Sequence, residues 1–313
     1  MTQLLNNGRL PPFLMARLTA EYRLHDLMQE TDPKAFLAAH GYEFTGLVTS
    51  APRGADAALI KALPNLQVIS SFGVGLEKID LAAAASQGVA VGYTPDVLND
   101  CVADTAFGLV LDVMRGFSAA DRFVRSGAWA AGQAYPLARK VSGQRLGLVG
   151  FGRIGQTIAR RAAGFDMAVR YHSRRPVAGV PWLHEPSLLE LAAWCDCLLV
   201  IVAGGAGTRH LINAPVLDAL GPRGFLVNVS RGSVIDEPAL VQALVNKRIA
   251  GAGLDVFENE PQVPADLLAL DNVVLLPHIA SATQETREAM AERVMANLAS
   301  FFSTGQVMSA ATP

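Results

Sequence analysis

A strand, a glycine-rich turn and a helix follow one another in the segment RLGLVGFGRIGQTIARRAAG, which begins at Arg145. The turn, Gly150-Phe151-Gly152-Arg153-Ile154-Gly155, has the spacing G-x-G-x-x-G. In this context the first glycine permits the turn, the second admits a pyrophosphate, and the third lets the helix pack on the strand. The N–H groups and dipole of a helix start also favour a phosphate. The segment therefore predicts a dinucleotide-binding turn, and a tight turn without a ligand is the alternative.

The strand after this helix ends without the acidic residue that usually accepts hydrogen bonds from the ribose hydroxyls. In AVRYHSRRP, residues 168–176, His172 takes that position and is followed by Ser173, Arg174 and Arg175. A guanidinium can bind a phosphate through two hydrogen bonds, whereas a carboxylate repels a 2′-phosphate. We therefore expect NADP(H) to be preferred, with NAD(H) possible. A solvated basic loop is the alternative.

The rest of the chain alternates strand-like and helix-like segments, the pattern of a parallel α/β sheet. Six strand candidates follow residue 144, the number of a Rossmann domain, and one long helix is predicted from Asp100 to about Arg125. A helix from about Gln284 to Phe302 could return to the first domain. The 313 residues have room for two domains. We predict an α/β fold with one domain over 1–98 plus 285–313 and a doubly wound dinucleotide-binding domain over 99–284.

The charge balance argues against nucleic-acid and membrane partners. The chain has 26 basic and 28 acidic residues, so no global field would recruit an anionic polymer or surface. The start lacks the pattern of a signal peptide and no apolar run spans a bilayer, so we expect a cytoplasmic protein. The three cysteines do not suggest a disulfide framework. Cys195 and Cys197, placed at one strand start, allow a C-x-C metal site, but no further ligands complete it, and we expect no metal.

Three chemically useful residues follow predicted strands. His278 follows the apolar strand in NVVLLPHIASAT, Arg231 follows FLVNVS and Glu260 follows GLDVF. The carboxyl ends of parallel strands present side chains to ligands. Imidazole titrates near neutral pH, an arginine can clamp a carboxylate, and a glutamate favours a protonated imidazole beside it. Four other histidines lie in segments that we predict to be helical or loop, without a partner pattern: His25, His40, His184 and His210.

The segments GLVGFGRIG, VNVSRGSVIDEPALVQAL, GAGLDVFENEP and LLPHIASAT together resemble the D-isomer-specific 2-hydroxyacid dehydrogenase family, from about residue 45 to the end. The resemblance implies that Arg231 binds a 2-oxo acid, that His278 protonates its carbonyl as hydride arrives, and that Glu260 pairs with His278. It also implies a smaller flavodoxin-like substrate domain and a homodimer. Cofactor contacts are implied for several further residues: Thr105, Val202, Thr208, Val229, Asp255 (near the nicotinamide carboxamide) and Ala280.

Within that family, SSFGVGLEKIDL and TPDVLNDCVADTAFGL look like the NADPH-dependent glyoxylate/hydroxypyruvate and hydroxyphenylpyruvate reductases. In such enzymes the backbone of Val74 and Gly75 meets the substrate carboxylate. Trp129 is a pocket candidate; Leu14 and Met15 fit a hydrophobic core better than a lid. The expected activity is NADPH-dependent reduction of a small 2-oxo acid to the D-2-hydroxy acid. Aryl pyruvates, another acid, and a non-catalytic dinucleotide sensor of the same fold stay open.

Overall fold

The computed structural model describes residues 2–311, which divide into two units. Unit 1 takes the chain up to Leu98 and again from Thr283 onward, whereas unit 2 takes Asn99–Ala282. Each unit is built on its own parallel sheet, one of five strands and one of seven. The predicted α/β fold with two parallel-sheet domains is confirmed.

Residues 2–98 form the five-stranded sheet and four of the helices around it. The strands are β1 (Gln3–Asn6), β2 (Arg23–Asp26), β3 (Gly46–Ser50), β4 (Val68–Phe72) and β5 (Ala90–Gly92). The helices are α1 (Pro12–Glu21), α2 (Pro33–His40), α3 (Ala57–Lys61) and α4 (Leu81–Ser86). The strand order β2-β1-β3-β4-β5 is that of a flavodoxin-like sheet.

Aspartates start three of these helices. Asp32, Asp56 and Asp80 accept hydrogen bonds from N–H groups in the first turns of α2, α3 and α4, which satisfies donors that have no partner within the helix. All residues of β3 and β4 are buried, including the polar Thr49, Ser50, Ser70 and Ser71. The edge strand β2 has one exposed and three half-buried residues and carries His25, so the expectation of a helix or loop at His25 was wrong.

Residues 99–282 form the second unit, with seven strands in the order β12-β11-β10-β9-β6-β7-β8. The strands are β6 (Arg145–Val149), β7 (Ala168–His172), β8 (Leu183–His184), β9 (Cys197–Val200), β10 (Phe225–Asn228), β11 (Gly251–Leu254) and β12 (Val273–Leu275). The helices are α5 (Asn99–Arg115), α6 (Phe117–Arg125), α7 (Arg153–Ala163), α8 (Leu188–Trp194), α9 (Ala214–Leu220), α10 (Glu237–Val245) and α11 (Ala265–Leu268). The order reverses at β6, as in a Rossmann sheet.

Three local predictions for unit 2 need correction. The expected single helix is two helices, because Gly116 between α5 and α6 adopts a left-handed φ of 67°. A seventh strand, the two-residue β8, carries His184, which was expected in a helix or loop. Cys195 caps the end of α8, and only Cys197 lies on β9. Burial raises the pKa of the Cys195 thiol to about 12.

The last helix, α12 (Gln284–Thr304), belongs to unit 1. Thr283 caps its start, because the Thr283 hydroxyl accepts from the N–H of Thr286. The Val294 carbonyl within the helix accepts from the hydroxyl of Ser70 on β4. Over residues 2–311, none of the helices is both long and apolar enough to cross a membrane, and no group of three or more metal-ligating side chains is found.

Candidate active site

Three neighbouring strands of unit 2 bring the predicted catalytic residues to one sheet edge. Arg231 lies after β10, Glu260 after β11 and His278 after β12, and these strands pair in parallel. Because parallel strands end at the same edge of a sheet, their carboxyl-end loops are neighbours. The three residues lie 18 to 47 positions apart in the sequence, and the parallel pairing of the strands brings them to the same edge of the sheet.

Glu260 and His278 form a direct pair. The Nδ1 of His278 lies 2.8 Å from Oε2 of Glu260, and the other carboxylate oxygen accepts from the backbone N–H of Phe257 at 3.1 Å. Because an ionised carboxylate only accepts, Nδ1 carries the proton of this hydrogen bond. The Nε2 atom is then the ring nitrogen available for a substrate. Both side chains keep solvent access, with 40% of His278 and 36% of Glu260 exposed.

The surroundings of Glu260 keep it ionised. Partial burial raises the pKa of its carboxyl, but the hydrogen bond and charge of His278, the Phe257 N–H and the charge of Arg231 together lower it below its ordinary value. The carboxylate is therefore a stable hydrogen-bond acceptor at neutral pH. Its hydrogen bond to Nδ1 fixes the orientation of the His278 ring.

Asp255 fixes the segment that follows His278. Its side chain is fully buried at the end of β11, and its two carboxylate oxygens accept from the N–H groups of Ile279 at 2.7 Å and Ala280 at 2.9 Å. Burial raises the pKa of Asp255, and these two hydrogen bonds oppose the rise. Sequence reasoning assigned Asp255 to the cofactor alone and missed this second role. An acid at the end of a buried strand was the available signal.

A buried polar network shapes the loop of Arg231. The Asn228 side-chain oxygen accepts from the N–H and hydroxyl of Ser230, and its nitrogen donates to the carbonyl of Arg231 at 3.0 Å. The guanidinium of Arg231 donates to the Ser230 carbonyl at 2.7 Å. Both Asn228 and Ser230 are buried, so the loop depends on a satisfied network. Neither residue was identified from the sequence.

Gly232 brings the loops of Arg231 and Glu260 into backbone contact. A Cβ at this position would lie 1.9 Å from the carbonyl carbon of Phe257, three residues before Glu260. Only glycine permits such an approach. The residue was missed because its neighbour is distant in sequence, although its place directly after Arg231 was a signal.

The glycine turn fits a dinucleotide. Gly150 has a φ of 98°, and a Cβ on Gly155 would lie 2.6 Å from the Gly150 carbonyl oxygen, so the fold itself requires both glycines. A Cβ on Gly152 would meet nothing within 4 Å, which leaves room for a ligand group there. Gly152 caps α7 without a side-chain hydrogen bond, and Arg153 and Ile154 form its first turn. These N–H groups and the open space suit a pyrophosphate.

The loop after β7 presents two exposed guanidinium-bearing residues, Arg174 and Arg175. The Ser173 hydroxyl donates to the Arg175 carbonyl at 2.6 Å and so closes a tight turn. The carboxylate of Glu185, just after β8, pairs instead with Arg170 on β7, with 3.7 Å between its Oε2 and a guanidinium nitrogen. The loop therefore carries positive charge at its tip.

The other residues assigned from the resemblance lie as follows. In unit 2, Val202 packs beside Gly150, the Thr208 hydroxyl donates to Ala203, Val229 is buried, and the Thr105 hydroxyl donates to the Ala280 carbonyl at 3.4 Å. In unit 1, Val74 and Gly75 follow β4, half-buried and buried respectively. Leu14 is a core residue, Met15 is half-buried, and Trp129 is 67% exposed.

Comparisons with known proteins agree on one family. The model of the D-isomer specific 2-hydroxyacid dehydrogenase, NAD binding domain, matches residues 107–280. The chain is 46% identical over 291 residues to hydroxyphenylpyruvate reductase of Plectranthus scutellarioides, covering 93% of each protein. It is 44% identical over 291 residues to a glyoxylate/hydroxypyruvate reductase of Arabidopsis thaliana, also covering 93% of each.

A solved structure shows the same fold. The NADPH-dependent glyoxylate/hydroxypyruvate reductase of Sinorhizobium meliloti, in complex with NADP and malonate, superposes with a TM-score of 0.93 at 43% identity. The match covers 99% of this chain and 97% of that one.

Proposed function

Because the chain belongs to the D-isomer specific 2-hydroxyacid dehydrogenase family and is an oxidoreductase, we propose that it reduces a small 2-oxo acid to the D-2-hydroxy acid with NADPH. The observation that carries the proposal is the Glu260–His278 pair at the strand edge that also carries Arg231. It combines a proton donor, the acceptor that orients it, and a cation for the substrate.

Each of these side chains has a separate task. Nε2 of His278 donates a proton to the carbonyl oxygen of the substrate, while Glu260 stabilises the protonated ring. Arg231 binds the substrate carboxylate and stabilises the negative charge that develops on the oxygen. The dinucleotide, bound at Gly150, Gly152 and Gly155, supplies the hydride. Val74 and Gly75 are proposed to contact the substrate carboxylate through their backbone.

The substrate is proposed to be of the glyoxylate or hydroxypyruvate type. This follows the names of the relatives, which include glyoxylate/hydroxypyruvate reductases of a plant and a bacterium. The hydroxyphenylpyruvate reductase relative keeps an aryl pyruvate as the second candidate. Initial rates with glyoxylate, hydroxypyruvate, hydroxyphenylpyruvate and 2-oxogluconate, each with NADPH and NADH, test the proposal. The absence of turnover with all four acids would leave a dinucleotide sensor as the better reading.

The preference for NADPH rests on Arg174 and Arg175. Replacing both with glutamine is expected to weaken NADPH binding about ten-fold or more, because each removes a charge-assisted hydrogen bond to a phosphate. NADH, which lacks the 2′-phosphate, should bind the variant as it binds the original protein. Dissociation constants from nicotinamide fluorescence measure both. Equal weakening for the two dinucleotides would make the loop a surface feature only.

His278 provides the test of catalysis. The variant His278→Gln is expected to lose about 10² to 10⁴-fold in kcat, while NADPH affinity stays nearly unchanged. Turnover at the original rate would contradict the role of His278.

A homodimer is also proposed, and the exposed apolar side chains of Phe117, Val124 and Trp129 support it. The cytoplasmic location stays a prediction from the sequence.

A further inference from the structure

The loop between β9 and α9, residues 201–213, begins beside the glycine turn. Strand β9 pairs with β6 on one side and with β10 on the other, so this loop leaves the sheet where its strand order reverses. In such sheets a ligand binds in the crevice outside the strand ends at the reversal. A Cβ on Gly150 would collide with the carbonyl oxygen of Ile201, so the glycine turn and the start of the loop are in backbone contact. A dinucleotide bound at the glycine turn would therefore lie beside the β9–α9 loop.

The first part of this loop, residues 203–208, is largely exposed, and three of its six residues are glycines. A Cβ on Gly205 or Gly207 would meet nothing within 4 Å. The Thr208 hydroxyl donates to the carbonyls of Ala203 at 2.7 Å and Gly205 at 3.3 Å, so these hydrogen bonds stay within the loop. Glycine loses more conformational freedom than other residues when it is ordered. A contact outside the loop is therefore needed to offset the entropy cost of one fixed conformation.

Glu258 supplies such a contact directly after the glycine-containing part. Its Oε1 atom accepts from Nη2 of Arg209 at 2.8 Å and lies 3.3 Å from Nε2 of His210. Although Arg209 is exposed, only 18% of the Glu258 side chain is, so the carboxylate is better shielded than in an ordinary surface ion pair. Burial alone would raise the pKa of the Glu258 carboxyl, but the hydrogen bonds of His210 and Arg209 lower it below its ordinary value. The carboxylate is therefore ionised at neutral pH.

The backbone of His210 is fixed together with its ring. Its φ is 51°, in the left-handed region that few residues other than glycine adopt. Its N–H donates to the Ser233 carbonyl at 2.9 Å, while its ring contacts Glu258. Such a conformation persists only where the surroundings over-determine it. The end of the β9–α9 loop is thus held through both its backbone and its side chains.

Glu258 is in turn held by the loops of two neighbouring strands. Its backbone N–H donates to Oε2 of Glu237, the first residue of α10, at 3.1 Å, and the N–H before it, that of Phe257, donates to Glu260. Strands β9, β10 and β11 are adjacent and parallel, so Glu258 joins the segments that follow all three. The β9–α9 loop is therefore attached to the same loop that carries the partner of His278.

We propose that Glu258 is a positioning residue for the dinucleotide. Through Arg209 and His210 it holds the β9–α9 loop in place before the dinucleotide binds, which lowers the entropy cost of binding. It acts through the loop and not by touching the dinucleotide or the substrate. The inference rests on the proposed use of a dinucleotide and is independent of which 2-oxo acid is reduced.

The first experiment measures dinucleotide binding without turnover, by nicotinamide fluorescence. Glu258→Met keeps the length of the side chain and removes its charge and its acceptors. We expect about ten-fold weaker binding of both NADPH and NADH, and a smaller loss in Glu258→Gln, which keeps one acceptor oxygen. Asp218→Leu, which removes the ion pair of Asp218 with Arg248 elsewhere in unit 2, is the matched control and should bind as the original protein does.

Two outcomes of this titration are distinct. Equal affinities of the original protein and Glu258→Met would overturn the positioning role and leave the proposed function in place. If the original protein binds neither dinucleotide, the proposed function is overturned and the inference with it.

The second experiment tests whether Glu258 acts through the loop. The double variant Arg209→Met/His210→Asn removes both contacts, and asparagine is chosen because it tolerates a left-handed φ. In this background Glu258→Met should have no further effect on NADPH affinity, because residues that act as one unit are not additive. A further ten-fold loss would mean that Glu258 acts by another route and would overturn the proposal.

The third experiment separates positioning from a general loss of structure. In the dinucleotide-free protein, the hydrogen-bonded amides of Thr208, His210 and Leu211 should exchange at least about ten-fold faster in Glu258→Met, while those of β9 and β10 keep their protection. In steady-state assays, KM for NADPH should rise about ten-fold and kcat should stay within about two-fold. Loss of protection throughout β9 and β10, or a fall in kcat with an unchanged KM, overturns the positioning role.

Discussion

His278 has a backbone conformation that few residues of its type adopt. Its φ is 55°, in the left-handed region, and such strain persists only where the surroundings over-determine it. Asp255 supplies that constraint, because it holds the next two N–H groups, those of Ile279 and Ala280, from within the core. The acid that looks like a cofactor residue in the sequence is thus also the support of the proposed proton donor.

Replacing Asp255 with asparagine tests this support. The amide would place a donor against one of the two N–H donors, so a buried hydrogen bond is lost and the segment shifts. We expect about 1–3 kcal/mol less free energy of unfolding and a lower kcat. Urea unfolding and steady-state kinetics measure the two effects. Asp266→Asn, on the exposed face of α11, is the control and should change neither. An unchanged kcat in Asp255→Asn would mean that His278 keeps its position without this clamp.

The pH dependence of Glu260 follows from its lowered pKa. A carboxyl with a lower pKa in the folded state stabilises the fold above its unfolded pKa of about 4.3, and this stability disappears as pH falls through the folded value. Glu260→Gln removes the titration. The difference in unfolding midpoint between the two proteins should therefore be larger at pH 7 than at pH 3.5. We also expect kcat at pH 7 to fall about 10²-fold, because the ring of His278 loses its anionic partner. A constant midpoint difference over this range would contradict the ionised pair.

At the scale of elements, the turn between β6 and α7 contains glycines with two different roles. Gly150 and Gly155 are required by the fold, whereas Gly152 leaves space for a ligand. Gly155→Ala would force a Cβ against the Gly150 carbonyl, and we expect about 1–3 kcal/mol lower stability. Gly152→Ala meets open space, so stability should change by less than about 0.5 kcal/mol. The same variant should weaken NADPH binding, because the methyl group occupies the proposed pyrophosphate position. Thermal unfolding without cofactor and fluorescence titration distinguish the two variants. Tight NADPH binding by Gly152→Ala would move the phosphates elsewhere.

The elements found from the sequence are those whose signal is local. Strands β6, β9 and β10 read as apolar runs because they are buried along their length or nearly so. Strands β2 and β8 have no fully buried residue and β1 has only two apolar ones, so none of the three forms an apolar run, and their pairing is set by neighbours elsewhere in the chain. A run that is compatible with helix on both sides of Gly116 concealed the break, since glycine is tolerated in helices and only the structure fixes its φ.

The candidate site divides in the same way. Residues at strand ends, such as Arg231 and His278, were predictable, because strand order places them at a ligand-binding edge. Asn228 and Gly232 were not predictable. The role of Asn228 is its contact with the Arg231 backbone, and that of Gly232 is its contact with the loop after β11. Chemistry-bearing side chains can be read from a sequence, whereas the groups that position them depend on the packed fold.

At the scale of the whole molecule, unit 1 is made from both ends of the chain. Helix α12 lies more than 180 residues beyond the last strand of the sheet on which it packs. The buried Asn297 joins the parts, since its nitrogen donates to the Tyr93 carbonyl at 3.1 Å and its oxygen accepts from the Ser309 N–H at 2.9 Å. A side chain on Gly92 would collide with Asn297, so β5 and α12 approach closely here.

The variant Asn297→Ala should therefore lower the stability of unit 1 more than that of unit 2. It removes two hydrogen bonds of a buried side chain and leaves the partly buried Tyr93 carbonyl and Ser309 N–H without this partner, and we expect about 1–3 kcal/mol lower stability. Asn65→Ala, which removes an exposed hydrogen bond in the same unit, should cost less than about 0.5 kcal/mol. Hydrogen exchange locates the effect, because amides of β4 and β5 should lose protection while those of β9 and β10 keep it. An equal loss of protection in both sheets would show that the two units open together, and that the C-terminal helix contributes to more than the sheet on which it packs.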